Sequence, residues 1–131
     1  MKGTGKSFKA PKRIGNVMPE SLVIDDQNSI LSILHIFFVQ LGYEVKIAHS
    51  GKEGIDIFDS ERELDLVITD IRMPGMDGNA VARHIRNSDR PHMPIIAITA
   101  FSDKFESDLF DFFITKPFNI QTLADVIETL K

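Results

Sequence analysis

The stretch Leu64-Asp65-Leu66-Val67-Ile68-Thr69-Asp70, followed at once by Ile71-Arg72-Met73-Pro74-Gly75-Met76-Asp77-Gly78, constrains the chain more than any other. Its first half is a run of apolar and β-branched residues. That is the composition of a strand buried on both faces, which belongs in a parallel sheet. The run stops on a carboxylate, Asp70, and two turn signals follow, Pro74-Gly75 and Asp77-Gly78. In open α/β sheets ligands bind outside the carboxyl ends of the strands. Asp70 therefore stands at the edge where chemistry is expected, whereas Asp77, ahead of Gly78, reads as a turn and cap residue.

The rest of the chain repeats the theme. Ser21 to Asp26 reads as a short buried strand ending in two carboxylates, Asp25 and Asp26. Asn28 or Ser29 is placed to cap a helix that runs to about Leu41 and ends at Gly42. Its inner face carries Ile30, Leu34, Phe37, Phe38 and Leu41. Its outer face carries Ser32, Ile36 and Val39, an unusual apolar pair for a surface. Glu44–Ala48 is a second strand and 51–60 a helix; 79–86 is a third helix, and Ile95 to Ala100 a fourth strand. Ser102 can cap a short helix bearing Phe105 and Leu109. Phe112 to Thr115 is a fifth strand, and Asn119 caps a last helix with Ile120, Leu123, Ala124 and Ile127 inward. Strand and helix alternate five times, which means a doubly wound α/β fold around a five-stranded parallel sheet.

With 131 residues, 43% of them apolar, the chain has the size and the core of one domain. It contains no cysteine, which excludes thiol redox chemistry and thiolate metal sites. No apolar run is long enough to span a bilayer, so no membrane insertion is expected. The N-terminus lacks the apolar segment of a secretory signal, and a cytoplasmic protein is expected. Five basic side chains and a single acid fall in residues 1–20, while residues 21–131 hold 10 basic and 18 acidic, a net of −8. We read 1–19 as a basic, disordered extension and 20–131 as the domain. The acidic body argues against direct nucleic-acid binding.

Four strands place polar residues at their carboxyl ends: Asp25 and Asp26, Asp70, Thr99, and Lys116. In a doubly wound sheet these converge in one crevice. Three carboxylates together raise one another's pKa unless a cation sits among them, and an all-oxygen set suits Mg²⁺ or Mn²⁺. Lys116 adds a mobile positive charge and Thr99 a hydroxyl donor. Nucleophile, metal and oxygen-binding donors are what phosphoryl transfer to a carboxylate requires.

Val23-Ile24-Asp25-Asp26, Asp70 through Gly78, Ile98-Thr99-Ala100 and Thr115-Lys116-Pro117-Phe118, in that order, closely resemble the receiver domain of two-component response regulators. The resemblance covers about residues 20–131. It implies the flavodoxin-like strand order 2-1-3-4-5 seen in chemotaxis regulators. It implies that Asp70 accepts a phosphoryl group from a phosphohistidine of a sensor histidine kinase or histidine phosphotransfer domain. It implies Mg²⁺ held by Asp26, Asp70 and the backbone carbonyl of Arg72, with Asp25 acting through water. Thr99 and Lys116 would hold the phosphoryl oxygens, and the Lys116-Pro117 bond would be cis. Phosphorylation would draw Thr99 inward and shift an aromatic of the fifth strand, here Phe113, between two pre-existing states. The downstream protein is unknown, and the domain catalyses only its own phosphorylation and dephosphorylation.

Only 16 residues separate Thr99 from Lys116, fewer than the family usually has by about one helical turn or somewhat more. A shortened or irregular fourth helix is expected, with an altered output face rich in Phe101, Phe105, Phe110 and Phe112. Arg72 and Phe101, each two residues past a site residue, are candidates for shielding the acyl phosphate from water. Ile36 and Val39 are candidates for docking the phosphodonor. An alternative reading is a receiver-like binding module that works without phosphorylation. An aspartate-nucleophile phosphatase fits less well, since Arg72 stands where such enzymes place a second acid. A flavodoxin-type cofactor binder would need a phosphate loop that the first strand lacks.

Overall fold

The computed structural model describes residues 18–100 and 102–130. Five parallel strands form one sheet: β1 (Glu20–Ile24), β2 (Glu44–Ala48), β3 (Leu66–Asp70), β4 (Ile95–Thr99) and β5 (Phe112–Thr115), in the order β2-β1-β3-β4-β5. Four helices connect and close them: α1 (Asn28–Gln40), α2 (Gly51–Ser60), α3 (Gly78–Arg86) and α4 (Ile120–Thr129).

Alternate strand residues feed two cores, because successive side chains point to opposite faces. Val23, Leu66, Ile68, Ile96, Ile98 and Ile114 meet α1 and α4 through Leu31, Leu34, Phe37, Phe38, Leu123 and Ile127. Leu22, Ile24, Val67 and Ile95 meet α2 and α3 through Phe58, Val81, Ala82 and Ile85. Each such fully buried large side chain contributes about 1.5–3 kcal/mol of transfer free energy. β1, β3 and β4 are buried along their whole length, as the unbroken apolar runs require.

Helix starts follow local chemistry. The side chains of Ser50, Asp77 and Asn119 accept from the backbone N–H of Glu53, Ala80 and Thr122. The expected cap at Asn28 or Ser29 is not there: α1 begins behind Gln27, whose side chain makes no capping bond. Asp25 Oδ1 instead accepts from Gln27 N at 2.9 Å, so the buried acid itself fixes the turn into α1. Ile120, expected inward, is exposed, because the stripe of α4 that meets the sheet is centred on Leu123 and Ile127.

The helix expected between β4 and β5, fourth in the family's order, is absent among the described residues. There the described residues form a single 3₁₀ turn, Ser107–Leu109, and Ser102 caps no helix. Side chains of α3 hold this connection. Asn79 Nδ2 donates to Lys104 O at 2.7 Å and its Oδ1 accepts from Glu106 N at 3.0 Å. Arg83 pairs with Glu106 at 2.6 Å, and Arg86 donates to Leu109 O and to Asp111 Oδ2. Asp111 Oδ2 also accepts from Ile95 N, which ties the connection to β4. Leu109 and Phe110 pack on the core beside α3, covering sheet that a longer helix would have covered.

Candidate phosphorylation site

Three loops after β1, β3 and β4 and the residue after β5 meet at the carboxyl edge of the sheet. Asp70 is the last residue of β3 and is 2% exposed; Asp25 is fully buried, and Asp26 is exposed beside it. One oxygen from each of these carboxylates lies within 4.8 Å of the others. Lys116 Nζ lies 3.0 Å from Asp70 Oδ1. Thr99 closes β4, and its carbonyl accepts from Lys116 N at 2.9 Å, so those two residues are fixed relative to each other through the backbone. The Lys116-Pro117 bond is cis.

The loop beyond Asp70 is shaped by two glycines. Gly75 sits at φ +77°, a conformation that side chains with a Cβ rarely adopt. At Gly78 a Cβ would stand 2.3 Å from the carbonyl oxygen of Asp70. Only glycine lets α3 start this close to the acid.

The electrostatics are those of acids brought together out of water. Burial pushes the Asp25 carboxyl up to about 6, helped by the charge of Asp70 and opposed by the N–H of Gln27. Burial also raises Asp70, while the Lys116 ammonium pulls it back. Asp25 Oδ2 is buried with no hydrogen-bond partner. A buried orphan oxygen beside two further carboxylates is a donor set that fits a hard divalent cation.

A cleft of about 460 Å³ contains Asp26, Asp70, Arg72, Ala100, Asp103 and Lys116. Asp103 is the member that the sequence does not announce. Its side chain is 3% exposed, its Oδ2 accepts from Ala100 N at 2.7 Å and from the Thr99 hydroxyl at 3.3 Å, and its Oδ1 lies 3.5 Å from Arg72 Nε. Thr99 Oγ1 also donates toward Ala100 O at 3.2 Å.

Other sequence candidates lie elsewhere. Phe113 is not a core residue: it is 55% exposed, with its ring 5.2 Å from that of Phe105, which in turn lies 5.2 Å from Phe110. Ile36 and Val39 are exposed on α1, joined by Ile33, a third apolar residue that the helical projection left out. A groove beside them is lined by Ile30, Ile33, Pro117, Phe118 and Ile120. Phe101 and residues 1–17 lie outside the described residues.

The family model for the response regulator receiver domain matches residues 21–128, and the chain belongs to that family. The architecture agrees. A receiver domain protein from Clostridium thermocellum superposes with a TM-score of 0.78 at 31% identity, over 86% of this chain and 93% of that one. A CheY-like receiver domain protein from Methanospirillum hungatei superposes with a TM-score of 0.79 at 28% identity, covering 87% and 94%. In sequence, the probable transcriptional regulator ycf27 of Cyanidium caldarium is 34% identical over 114 residues, 83% of this chain and 45% of that protein. The chain spans about half the length of the curated relatives it matches. Receiver domains are phosphorylation-based switches of two-component systems, signalling domains rather than enzymes with a separate substrate. No described helix is long and apolar enough to cross a membrane.

Proposed function

We propose that this domain is the phospho-accepting switch of a two-component phosphorelay, with Asp70 as the acceptor. The observation that carries the reading is the pairing of a nearly buried Asp70 with Lys116 Nζ at 3.0 Å, beside two further carboxylates. A carboxylate oxygen of Asp70 attacks the phosphorus of a phosphohistidine. The P–N bond breaks, an acyl phosphate P–O bond forms, and the histidine ring, already protonated on its other nitrogen, takes the P–N electron pair and leaves as neutral imidazole. Lys116 and the Thr99 hydroxyl stand as partners for the transferred oxygens.

Asp26, Asp70 and the carbonyl of Arg72 are the proposed direct ligands of Mg²⁺, with Asp25 holding a bound water. The cation supplies positive charge against the three acids and the incoming phosphoryl group. Arg72, exposed at the mouth of the cleft, restricts water there and lengthens the life of the acyl phosphate. The apolar outer face of α1, with Ile36 and Val39, receives the phosphodonor, a sensor histidine kinase or phosphotransfer domain. Readout by a downstream protein runs through Thr99 and the aromatic surface of Phe113 and Phe105, on the side where the fourth helix is missing.

Incubation with acetyl phosphate and Mg²⁺ tests this reading. Labelling that needs Mg²⁺ and vanishes in Asp70→Asn supports it. No labelling of a folded wild-type protein refutes it and favours a binding module that works unmodified.

A further inference from the structure

The carboxylate of Asp103 is nearly buried in the same cleft as Asp70, yet the phosphorylation reading assigns it no task. It touches three donors. The bond from Ala100 N, at 2.7 Å, is short and anchors the carboxylate to the end of β4. The other two contacts are looser. The Thr99 hydroxyl has one proton and divides it between Ala100 O at 3.2 Å and Asp103 Oδ2 at 3.3 Å, both long for an O–H donor. Arg72 Nε, at 3.5 Å, makes an ion pair rather than a hydrogen bond, from a side chain that is mostly in solvent.

Thr99 and Arg72 are donors that an oxyanion on Asp70 would also recruit. A phosphoryl group carries more charge and more acceptor atoms than a carboxylate, and so outcompetes it for both. We propose that Asp103 is a positioning residue: it engages the Thr99 hydroxyl and the Arg72 guanidinium in the unmodified domain and yields both to the phosphoryl group on Asp70. The inference rests on Asp70 being the acceptor. It gives the domain an internal competitor, so the phosphorylated conformation forms only against the hold of Asp103. Each donor must leave one anion to reach another, which sets the balance between the two states.

Beryllofluoride with saturating Mg²⁺, a non-hydrolysed stand-in for the phosphoryl group, provides the test. In Asp103→Asn the amide oxygen still accepts from Ala100 N, but the charge that holds Arg72 is gone. Beryllofluoride should bind this variant at least about fivefold more tightly than wild type. Equal or weaker binding by a folded variant overturns the proposal. The wild-type protein gives a second reading that needs no variant. The Arg72 Nε–H resonance should move on saturation with beryllofluoride, and a static one overturns the proposal. Asp70→Asn should not bind in either background. If wild type itself fails to bind, the acceptor reading fails and this inference with it; if wild type binds and Asp103→Asn is unchanged, only the role of Asp103 falls.

Discussion

Lys116 Nζ lies 3.0 Å from Asp70 Oδ1, reaching from the end of β5 past β4 to the end of β3. Burial raises the pKa of Asp70 and this ammonium opposes the rise. Only the ionised carboxylate is a nucleophile, so the labelling rate should climb with pH through the titration of Asp70. Lys116→Met removes the opposing charge and the partner for the transferred oxygens. We expect labelling by acetyl phosphate to fall by about 10²-fold, with the climb displaced to higher pH. A pH–rate profile for both proteins checks it; coincident profiles would count against the pairing.

Asp25 predicts an unusual pH dependence of stability. Unfolded, it titrates near 3.8; folded, near 6. Between these values the folded state holds a proton that the unfolded state has released. Its contribution is therefore fully present below 3.8 and is lost as pH rises through about 6. The loss amounts to about 2–3 kcal/mol by pH 7.5. Asp25→Asn keeps an acceptor for Gln27 N and should be more stable than wild type at pH 7.5 in EDTA, by about 1–3 kcal/mol. Urea unfolding at pH 5 and pH 7.5 measures both slopes. Added Mg²⁺ should restore much of the wild-type stability at pH 7.5 and little of the variant's.

Asn79 is buried, and both ends of its amide bind the backbone of the connection that replaces the fourth helix. Asn79→Ala leaves one carbonyl and one N–H without partners. The expected cost is about 1–3 kcal/mol in urea unfolding. Cleavage by trypsin after Lys104 should become faster in the same variant. Unchanged stability and cleavage would mean that the connection is held by other contacts.

Ile36 is 59% exposed, so Ile36→Asp should change stability by no more than about 0.5–1 kcal/mol. If the outer face of α1 receives the phosphodonor, transfer from the cognate phosphohistidine protein should slow markedly, while labelling by acetyl phosphate stays as in wild type. The second measurement separates docking from chemistry. Equal transfer to both proteins would remove this face from consideration.

The catalytic edge is legible in the sequence because strand ends carry their own punctuation. The apolar runs before Asp25, Asp70 and Thr99 fix both burial and direction, and parallel topology does the rest. The caps at Asp77 and Asn119 are legible for a similar reason, since each is a short acceptor placed just before a periodic apolar segment. Asp103 is not legible. One residue after Ser102, it reads as an acid in the first turn of a helix, and the helix does not form. Tertiary bonds from Asn79, Arg83 and Arg86 take up the backbone and side chains of 104–111, and no local pattern encodes those partners. The cap of α1 misleads in the same way. Asp25 looks like a ligand only, yet its second oxygen also anchors Gln27 N.

Asn79, Arg83 and Arg86 recur at helical spacing, so one stripe of α3 grips the connection between β4 and β5 at Lys104, Glu106, Leu109 and Asp111. The neighbour of Asn79 is Gly78, whose backbone rests on the carbonyl of Asp70 and whose N–H bonds Ile71 O at 2.8 Å. A single peptide unit thus separates the residue wedged against the acceptor from the residue that grips Lys104 and Glu106. A protein that clamped 104–106 would be holding a tether whose other end is the backbone of Asp70. Its grip would reach the acid through two hydrogen bonds to Asn79, one peptide unit and the close backbone approach of Gly78.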